Sequence, residues 1–220
     1  MGDNFTNILK EQKRAVLVLR KIVFFRKKRI YHGNITKLAA AIVLIYIQLM
    51  FQTKRITLRA PEPEDIDILY RWENDAALWQ FGNTINPLSR YALKMFIAES
   101  SNNIFETKQI RMMIVENEKN KPIGAVDLFD FEPFHLRVGV GIMIDSVNQR
   151  HGFAKEALEL AKRYCFEWLH VHQIFAHITE NNTPSMALFA SCQFVETGIL
   201  TDWIRSKDGF ENVHVLQCKR

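Results

Sequence analysis

The sequence predicts a mixed α/β fold, in which helices cover both faces of a central sheet. The chain has 220 residues, of which 48% are hydrophobic, and this is ample for one domain with a real core. In the middle of the chain, two strand patterns are joined by a short polar turn, as in a hairpin. Further along, strand and helix patterns alternate. Hairpins combined with alternating elements predict a mixed sheet covered by helices.

The first elements of this fold are one strand and two helices. Residues 53–59 alternate and predict a strand. Residues 61–74 predict a helix, because proline and acidic residues stand at its start and Ile66, Leu69 and Tyr70 follow at helical spacing. Residues 86–99 predict a second helix, with Asn86 as its cap and Pro87 in its first turn.

The later elements alternate more regularly. Strand patterns at 110–116 and 123–131 flank the polar turn 117–121, and a third strand is predicted at 137–144. A long amphipathic helix is predicted from 152 to about 169, because its apolar residues recur on one face. A strand at 173–179, a helix at 184–192 and two strands near 194–204 and 212–219 complete the order, with a turn at 207–209.

The first fifty residues differ in composition from the rest of the chain. They contain ten Lys or Arg and two Asp or Glu, whereas residues 51–220 contain nineteen and twenty-two. The basic charge therefore belongs to residues 1–50, and the predicted domain, residues 51–220, is mildly acidic. An acidic domain disfavours nucleic acid as a partner and tolerates cationic substrates.

Residues 1–50 allow three interpretations. Residues 38–51 are apolar except for Gln48, but fourteen residues are short for a membrane span. The segment could be a membrane-surface anchor or a helix that packs on the domain. It could also result from a mis-assigned translation start, with Met50 as the true initiator, and this third interpretation is favoured. Membrane contact is expected only if residues 1–50 are translated.

The three cysteines favour a reducing, cytoplasmic setting. Cys165, Cys192 and Cys218 are odd in number and widely spaced, which predicts neither a disulfide framework nor a zinc site. Cys165 falls on the apolar side of the long predicted helix and is expected in the core. We expect no metal, since the pair His170 and His172 has no third ligand in view.

The segment 139–168 carries the strongest signal for ligand binding. A strand runs into a helix whose first turn contains Gly152 and Ala154, with Arg150 just before it. Small residues let a ligand approach the backbone, and the free N–H groups and the dipole of a helix start favour an anion such as pyrophosphate. An ordinary strand–turn–helix with a glycine remains the alternative from these residues alone.

Three ordered motifs resemble the GNAT superfamily of N-acetyltransferases. Residues 149–154 (QRHGFA) resemble the Q/R-x-x-G-x-G/A loop, residues 182–189 (NTPSMALF) resemble N-x-x-S-x-x-L-Y/F, and residues 192–198 (CQFVETG) resemble G-F-x-x-x-G. The resemblance covers about residues 53–220. Residues 56–75, 123–137 and 198–217 look like the branch of spermidine and ribosomal-protein N-terminal acetyltransferases.

This resemblance implies a mostly antiparallel sheet in which two adjacent strands splay apart to bind acetyl-CoA. Backbone groups of residues 150–154 would hold the pyrophosphate, those of the strand 140–144 would pair with the pantetheine arm, and Asn182 would contact the arm. The implied cofactor-binding residues are Ile142, Met143, Ile144, Gln149, Arg150, His151, Gly152, Phe153, Ala154, Asn182 and Ser185.

The resemblance also implies direct attack by a neutral amine on the thioester. Many members use a tyrosine as the acid at the position of Phe189, so Ser185 is the candidate to assist the thiolate. Gln193 replaces the usual glycine and is expected to strain a turn. The candidate base is Asp127, because Asp127 and Asp130 are three residues apart and should point to opposite faces of a strand.

The acceptor is expected beside the first helix. Carboxylates next to aromatic rings suit an ammonium group, and the candidate substrate-binding residues are Trp72, Glu73, Asp75 and Trp79. A polyamine-like primary amine is the favoured acceptor. The alternatives are a protein N-terminus, as in ribosomal-protein acetyltransferases, and a non-catalytic acyl-CoA-binding module. A homodimer is the commonest assembly to expect.

Overall fold

The structure is a computed structural model, and it describes residues 45–46, 48–79, 86–99, 103–206 and 209–220. The chain divides into two compact units, Met1–Met50 and Phe51–Arg220. Of the first unit, 45–46 and 48–50 are described, so the three interpretations of residues 1–50 stay predictions. No helix within the described ranges is long and apolar enough to cross a bilayer. Two residues of the predicted turn at 207–209 lie outside those ranges.

The second unit is built on one mixed sheet. Its strands are β1 (Ile56–Arg59), β2 (Ile110–Glu116), β3 (Lys121–Glu132), β4 (Arg137–Ile144), β5 (Gln173–Thr179), β6 (Val195–Ser206) and β7 (Gly209–Lys219). In the described part of the chain they form a seven-stranded sheet in the order β1-β2-β3-β4-β5-β7-β6. Every neighbouring pair is antiparallel except β4 and β5, which are parallel. The predicted mixed sheet is confirmed.

The helices agree with the predicted order, with differences at their ends. They are α1 (Ile66–Glu73), α2 (Ala76–Trp79), α3 (Arg90–Glu99), α4 (Ile104–Thr107), α5 (Phe153–Arg163) and α6 (Thr183–Ser191). The helix predicted from residue 86 begins at Arg90, and the Ser89 hydroxyl rather than Asn86 accepts the N–H of Ala92. The short helices α2 and α4, the second of which is capped by Asn103, were not predicted.

Helices cover both faces of the sheet. On one face, α1 and α3 bury Leu69, Trp72, Leu93 and Ile97 against Met113, Val115 and Met143 of the strands. Because successive strand residues point to opposite faces, the buried Met112, Ile114 and Val126 lie on the other face. There α5 packs against β1, β3 and β4. Strands that are apolar on both faces therefore form the centre of the core.

The long predicted helix changes its winding at its end. After Arg163, residues Tyr164–Trp168 form a π turn, and the Leu169 N–H returns to the Tyr164 carbonyl. Cys165 is fully buried in this turn, as expected from the sequence. Burial raises the pKa of its thiol, which keeps the sulfur protonated and unreactive.

A buried lysine joins α5 to α6. Lys162 Nζ donates to the carbonyl of Cys192, at the end of α6, over 2.7 Å, and to Glu159 Oε1 over 3.1 Å. The ammonium group thus satisfies a terminal carbonyl of α6 and meets the negative end of that helix dipole. This contact fixes α6 relative to α5, and both helices flank the candidate site.

The entry to α1 is fixed by Asp65, whose side chain is 3% exposed. Its carboxylate accepts two hydrogen bonds from Arg59, at 2.6 and 2.9 Å, and one from the Glu62 N–H at 2.8 Å. Burial by itself would raise the pKa of Asp65, but the hydrogen bonds from Arg59 and Glu62 and the Arg59 charge outweigh it. The pKa of Asp65 is therefore lowered.

We predict that Asp65 contributes acid-dependent stability. A lowered folded pKa means that the contribution is present above the unfolded value of about 3.9 and is lost as pH falls through the folded pKa. Urea unfolding of the wild type and Asp65→Asn as a function of pH measures it. The variant should be less stable at pH 7, and the difference should shrink as pH falls below about 4. A difference that is equal at every pH would contradict this role.

Candidate functional site

Strands β4 and β5 part soon after they begin. Their parallel register pairs Arg137, Val138 and Gly139 with Gln173, Ile174 and Phe175. Beyond that point β4 stays paired with β3 as far as Ile144, and β5 stays paired with β7 as far as Thr179. The opening therefore lies between residues 140–144 and 176–179. The splayed strand pair predicted from the sequence is confirmed.

Aromatic rings line the vertex of this opening. A Cβ on Gly139 would lie 2.4 Å from the ring of Phe129, so glycine alone leaves room for that ring. The Phe129 ring meets Phe175 edge-on at 5.8 Å, and Phe175 lies 5.3 Å from His177. These rings lie on one face of the sheet. The glycine of β4 thus lets an apolar floor form where the strands diverge.

The segment after β4 forms the anion loop, residues 149–154. Gly152 has φ +81° and stands at the N-cap of α5, and Arg150 also adopts a left-handed φ of +63°. The first N–H groups of a helix have no acceptor within the helix. Those at the start of α5 can therefore bind an anion, which the helix dipole also favours. The phosphate-binding role of this loop stays a prediction.

The anion loop is attached to its surroundings on both sides. The side-chain amide of Gln149 donates to the Ile144 carbonyl at the end of β4 over 3.0 Å. The His151 carbonyl accepts from Arg55, which precedes β1, over 3.0 Å. Phe153 is buried, whereas Arg150 and His151 are exposed. The side chains of Gln149 and Phe153 therefore hold the loop in place, and its backbone is left to face a ligand.

On the other side of the opening, α6 follows β5. Asn182 caps α6, and its Oδ1 accepts the Ser185 N–H over 3.2 Å. The predicted contact of Asn182 with the cofactor arm would have to use its other amide hydrogens or its backbone. Phe189 is buried and meets Phe194 edge-on at 4.9 Å. The Phe189 ring therefore packs in the core, and it carries no group that could donate a proton to a leaving thiolate.

Gln193 occupies a helix-ending position that favours glycine. Its φ is +69°, its N–H donates to the Ala190 carbonyl, and the Phe194 N–H donates to the Phe189 carbonyl. This is the Schellman arrangement, whose left-handed residue is usually glycine. The strain expected from the sequence at Gln193 is present in the backbone.

Asp127, the predicted base, lies in an ion pair. Both of its oxygens accept from Arg111, at 2.6 and 2.8 Å, and Arg111 Nη1 also donates to Glu73. Burial alone would lower the pKa of the Arg111 guanidinium, but the charges and hydrogen bonds of Asp127 and Glu73 outweigh it and raise the pKa. A carboxylate that is bound at both oxygens is poorly placed to accept a proton from a substrate.

The predicted acceptor residues do not form one exposed cluster. Trp72 is 5% exposed and belongs to the core between α1 and α3, which corrects its assignment as an acceptor contact. Glu73 is paired with Arg111, and its backbone carbonyl accepts the Trp79 indole N–H over 2.7 Å. Asp75 is exposed. Trp72 is buried because α1 turns its apolar stripe toward the sheet.

A cavity of about 550 Å³ lies at the base of the parted strands. It runs along β5 and β7 and reaches the β3–β4 hairpin, and it carries two acidic, two basic and one histidine side chain. Its lining residues are Lys108, Asp130, Phe131, Glu132, Arg137, Gln173, Phe175, His177, Val215 and Gln217. Phe175, which belongs to the last paired position of β4 and β5, also lines the cavity, so the cavity borders the place where the strands diverge.

The cavity corrects the argument that separated Asp127 from Asp130. The β3–β4 register shifts between Phe129 and Glu132, and Asp130 has φ +48°. A bulge of this kind re-aims side chains, so the simple alternation fails there. Asp130 and Glu132 both line the cavity. Residue spacing does not reveal a local bulge, and for this reason the sequence did not predict Asp130 as a residue of the site.

His177 is a candidate residue that the sequence reasoning missed. In β5 the buried residues Ile174, Ala176 and Ile178 alternate with Phe175 and His177. His177 alternates with apolar residues in a predicted strand next to the predicted cofactor strand β4. This pattern could have indicated a polar side chain directed toward the site. Within the described residues, no three His, Cys, Asp or Glu side chains are grouped as metal ligands.

With this geometry in hand, comparison with known proteins identifies the family. The sequence profile described as "Acetyltransferase (GNAT) domain" matches residues 55–195. The chain belongs to the GNAT acetyltransferase family. It is therefore an acyltransferase of the N-acetyltransferase type, as the sequence predicted. The family uses acetyl-CoA as its acyl donor.

Curated relatives of this GNAT chain are N-acetyltransferases. It is 27% identical over 164 residues to an uncharacterized N-acetyltransferase, p20, of Bacillus licheniformis, covering 74% of this chain and 92% of that protein. It is 26% identical over 168 residues to the spermidine N(1)-acetyltransferase of Vibrio cholerae, covering 75% and 95%. The Vibrio cholerae spermidine N-acetyltransferase in complex with CoA and spermine superposes with a TM-score of 0.68 at 23% identity, over 76% and 96% of the chains. The last comparison supports the fold.

We predict that Arg111, which is partly buried, stabilises the GNAT fold more than the exposed Arg71 does. Arg111→Met leaves Glu73 and Asp127 facing each other without a cation, which should lower the free energy of unfolding by about 2–3 kcal/mol. The matched control is Arg71→Met, since Arg71 pairs with Asp145 at 2.7 Å but is largely exposed. Arg71→Met should lower the free energy of unfolding by at most about 1 kcal/mol, as measured by urea unfolding. Equal losses would show that the Arg111 network has no special role.

We also predict that Gln193→Gly stabilises the protein. Glycine adopts a left-handed φ without steric cost, so the free energy of unfolding should rise by about 0.5–1 kcal/mol. Ala190→Gly, in the exposed helical part of α6, should instead lower it by about 1 kcal/mol. Thermal or urea unfolding compares the two. A loss of stability in Gln193→Gly would mean that its side chain makes a compensating contact.

Proposed function

We propose that this chain transfers the acetyl group of acetyl-CoA to a primary amine, and that a polyamine-like small amine is its acceptor. The observation that carries the proposal is the parting of β4 and β5 beside the anion loop. A ligand with a long polar arm and a terminal diphosphate fits an open strand edge that continues into a helix N-terminus. The residues present therefore fit acetyl-CoA.

The donor side is formed by backbone groups. N–H groups of residues 150–154 would hold the pyrophosphate, and the open edge of β4 at Ile142, Met143 and Ile144 would pair with the arm. When bound, acetyl-CoA supplies the thioester whose carbon–sulfur bond breaks as the amide carbon–nitrogen bond forms. An N–H of the β4 edge would donate to the thioester oxygen, where negative charge develops. Asn182 and Ser185 would border the arm from α6.

The acceptor side is the cavity below the vertex. Asp130 and Glu132 would attract an ammonium group, and the apolar floor of Phe129 and Phe175 would pack against its carbon chain. An amine attacks only in its neutral form, so a group near the vertex must take its proton. We assign that role to His177, because its ring lies 5.3 Å from that of Phe175 at the vertex and an imidazole nitrogen can accept a proton. Asp127 then acts by holding Arg111 in place.

The leaving thiolate needs no strong acid. Since Phe189 cannot donate a proton, we assign any assistance to the Ser185 hydroxyl, one turn earlier on α6. A thiol with an ordinary pKa of about 8.5 is in any case a fair leaving group. The reaction therefore depends on position and on amine deprotonation more than on acid catalysis.

The polyamine proposal is supported by two observations. A relative that covers three quarters of this chain is a spermidine N(1)-acetyltransferase. The cavity also contains two carboxylates, those of Asp130 and Glu132. Lys108 and Arg137 also line the cavity and would instead favour an acceptor that carries a carboxylate beside its amine, such as the N-terminus of an acidic peptide. An acyl-CoA-binding module without turnover is the third possibility.

The test is thiol release from acetyl-CoA by the full chain with polyamines, amino acids, aminoglycosides and short peptides. Turnover with polyamines alone is the expected result, and turnover with peptides alone would replace the acceptor. CoA binding measured by calorimetry without turnover on any amine would favour the binding module. Folded protein that neither binds CoA nor releases thiol would overturn the assignment of the site.

Two substitutions test the acceptor side. His177→Gln should lower kcat by about a hundredfold, the usual effect of losing a general base, with CoA binding unchanged. Asp130→Asn should raise KM for a cationic amine and leave KM for acetyl-CoA unchanged. His172→Gln is the matched control, because His172 is exposed and lies outside the cavity lining. If His172→Gln and His177→Gln lose the same activity, His177 has no specific role.

We further propose that the chain associates with copies of itself. A structural neighbour is described as a dodecameric spermidine N-acetyltransferase from Vibrio cholerae, with a TM-score of 0.64. In this chain the edge hairpin of β6 and β7 exposes Trp203 and Phe210 at 62% and 65%. Light scattering would distinguish the homodimer expected from the sequence from a larger assembly or from a monomer.

A further inference from the structure

The segment before β1 contacts the anion loop from a position about a hundred residues earlier in the chain. Arg55 Nη1 donates to the His151 carbonyl over 3.0 Å. Its guanidinium lies 4.7 Å from the centre of the Phe153 ring. A Cβ on Gly152 would stand 3.3 Å from Arg55 Nη2. One side chain therefore touches three consecutive residues of the loop.

The same guanidinium is bound to Glu156 in the first turn of α5. Arg55 Nε donates to Glu156 Oε1 over 2.6 Å, and Nη2 lies 2.6 Å from the same oxygen. The other carboxylate oxygen accepts from the Thr53 hydroxyl over 2.8 Å. Each of the three Arg55 nitrogens thus lies at a group of the loop or of α5, which fixes the guanidinium behind the loop.

The segment that carries Arg55 is itself fixed to the sheet. The Thr53 hydroxyl accepts the N–H groups of Arg55 and Ile56 over 3.1 Å each. Asn117, between β2 and β3, donates its side-chain amide to the carbonyls of Thr53 and Lys54, and its N–H donates to the Arg55 carbonyl. Through these contacts, Arg55 connects the β2–β3 hairpin to the anion loop.

We propose that Arg55 is a positioning residue that prepares the anion loop for the diphosphate of CoA. By binding the His151 carbonyl, it holds that oxygen away from the side on which successive N–H groups must converge. By pairing with Glu156, it neutralises a carboxylate that would otherwise repel the phosphates one turn away. The inference rests on the proposed binding of acetyl-CoA at residues 149–154.

Arg55 acts here through the loop, because its donors are directed at protein groups. Removing it should weaken ligands that carry the diphosphate and leave smaller ligands unaffected. Removing Glu156 as well should restore the part of the affinity lost to charge repulsion, and the part lost to loop geometry should persist. These two effects can be separated by a double substitution.

The experiment compares wild type, Arg55→Met, Arg55→Lys and Arg55→Met/Glu156→Gln in the full chain. We expect Arg55→Met to bind CoA about tenfold more weakly by calorimetry, the loss of about 1.4 kcal/mol expected for a charged hydrogen bond. Arg55→Lys should lie between wild type and Arg55→Met, and the double variant should recover part of the loss. Binding of pantetheine, which lacks the diphosphate, should be unchanged by ligand-observed NMR. With an accepted amine, KM for acetyl-CoA should rise while kcat stays within about twofold.

Arg90→Met is the matched control. Arg90 pairs with Asp67 on α1 and lies 4.6 Å from the Tyr70 ring centre, so it has the same kinds of partner away from the loop. The proposal is overturned if Arg55→Met and Arg90→Met bind CoA alike, or if Arg55→Met weakens pantetheine equally. Wild type that binds no CoA would instead overturn the proposed cofactor site. Thermal unfolding of each variant separates a local effect from loss of the fold.

Discussion

The parting of β4 from β5 is the constraint on which the rest of the site depends. The two strands share three paired positions and then diverge, while each remains bonded to its outer neighbour. The inner edge of β4 is thus open to a ligand in a sheet that is otherwise continuous. Because β4 leads directly into the anion loop and α5, and β5 leads into α6, both helices begin beside the same opening. A long cofactor can then contact a strand edge and a helix N-terminus together.

Arginine–carboxylate pairs fix the elements around this opening. Arg55 ties the anion loop to the segment before β1, Arg71 ties α1 to Asp145 after β4, and Arg111 joins α1 to β3. The partly buried Arg111 network depends on all of its members, because a lone buried charge is costly. Glu73, a predicted acceptor contact, and Asp127, the predicted base, are both members of this network. Asp130 and Glu132 line the cavity.

The elements with a regular apolar pattern were predicted closely, and those fixed by side-chain contacts were not. Strands at 110–116, 137–144 and 173–179 match the observed bounds, because a buried strand shows a sustained apolar run. The start of α3 was misplaced, since Ser89 and Asn86 are both good caps and the tertiary contacts of Asn74 with Leu88 fix the chain before it. The helix α4 is a single turn, too short for any periodicity to show.

The sequence by itself determined the family, the mixed sheet, the turn that leads from β4 into α5 and the strain at Gln193, because each is encoded by neighbouring residues. Tertiary structure decided the rest of the site. Asp127 became an ion-pair partner because Arg111 stands opposite it across the register of β2 and β3, and Asp130 entered the cavity because a bulge breaks the alternation of β3. Trp72 is buried because α1 packs against α3 and the sheet. Arg55 reached the anion loop from a distant segment. Contacts between residues far apart in the chain leave no local pattern, and it is these contacts that assign charge and exposure to each candidate residue.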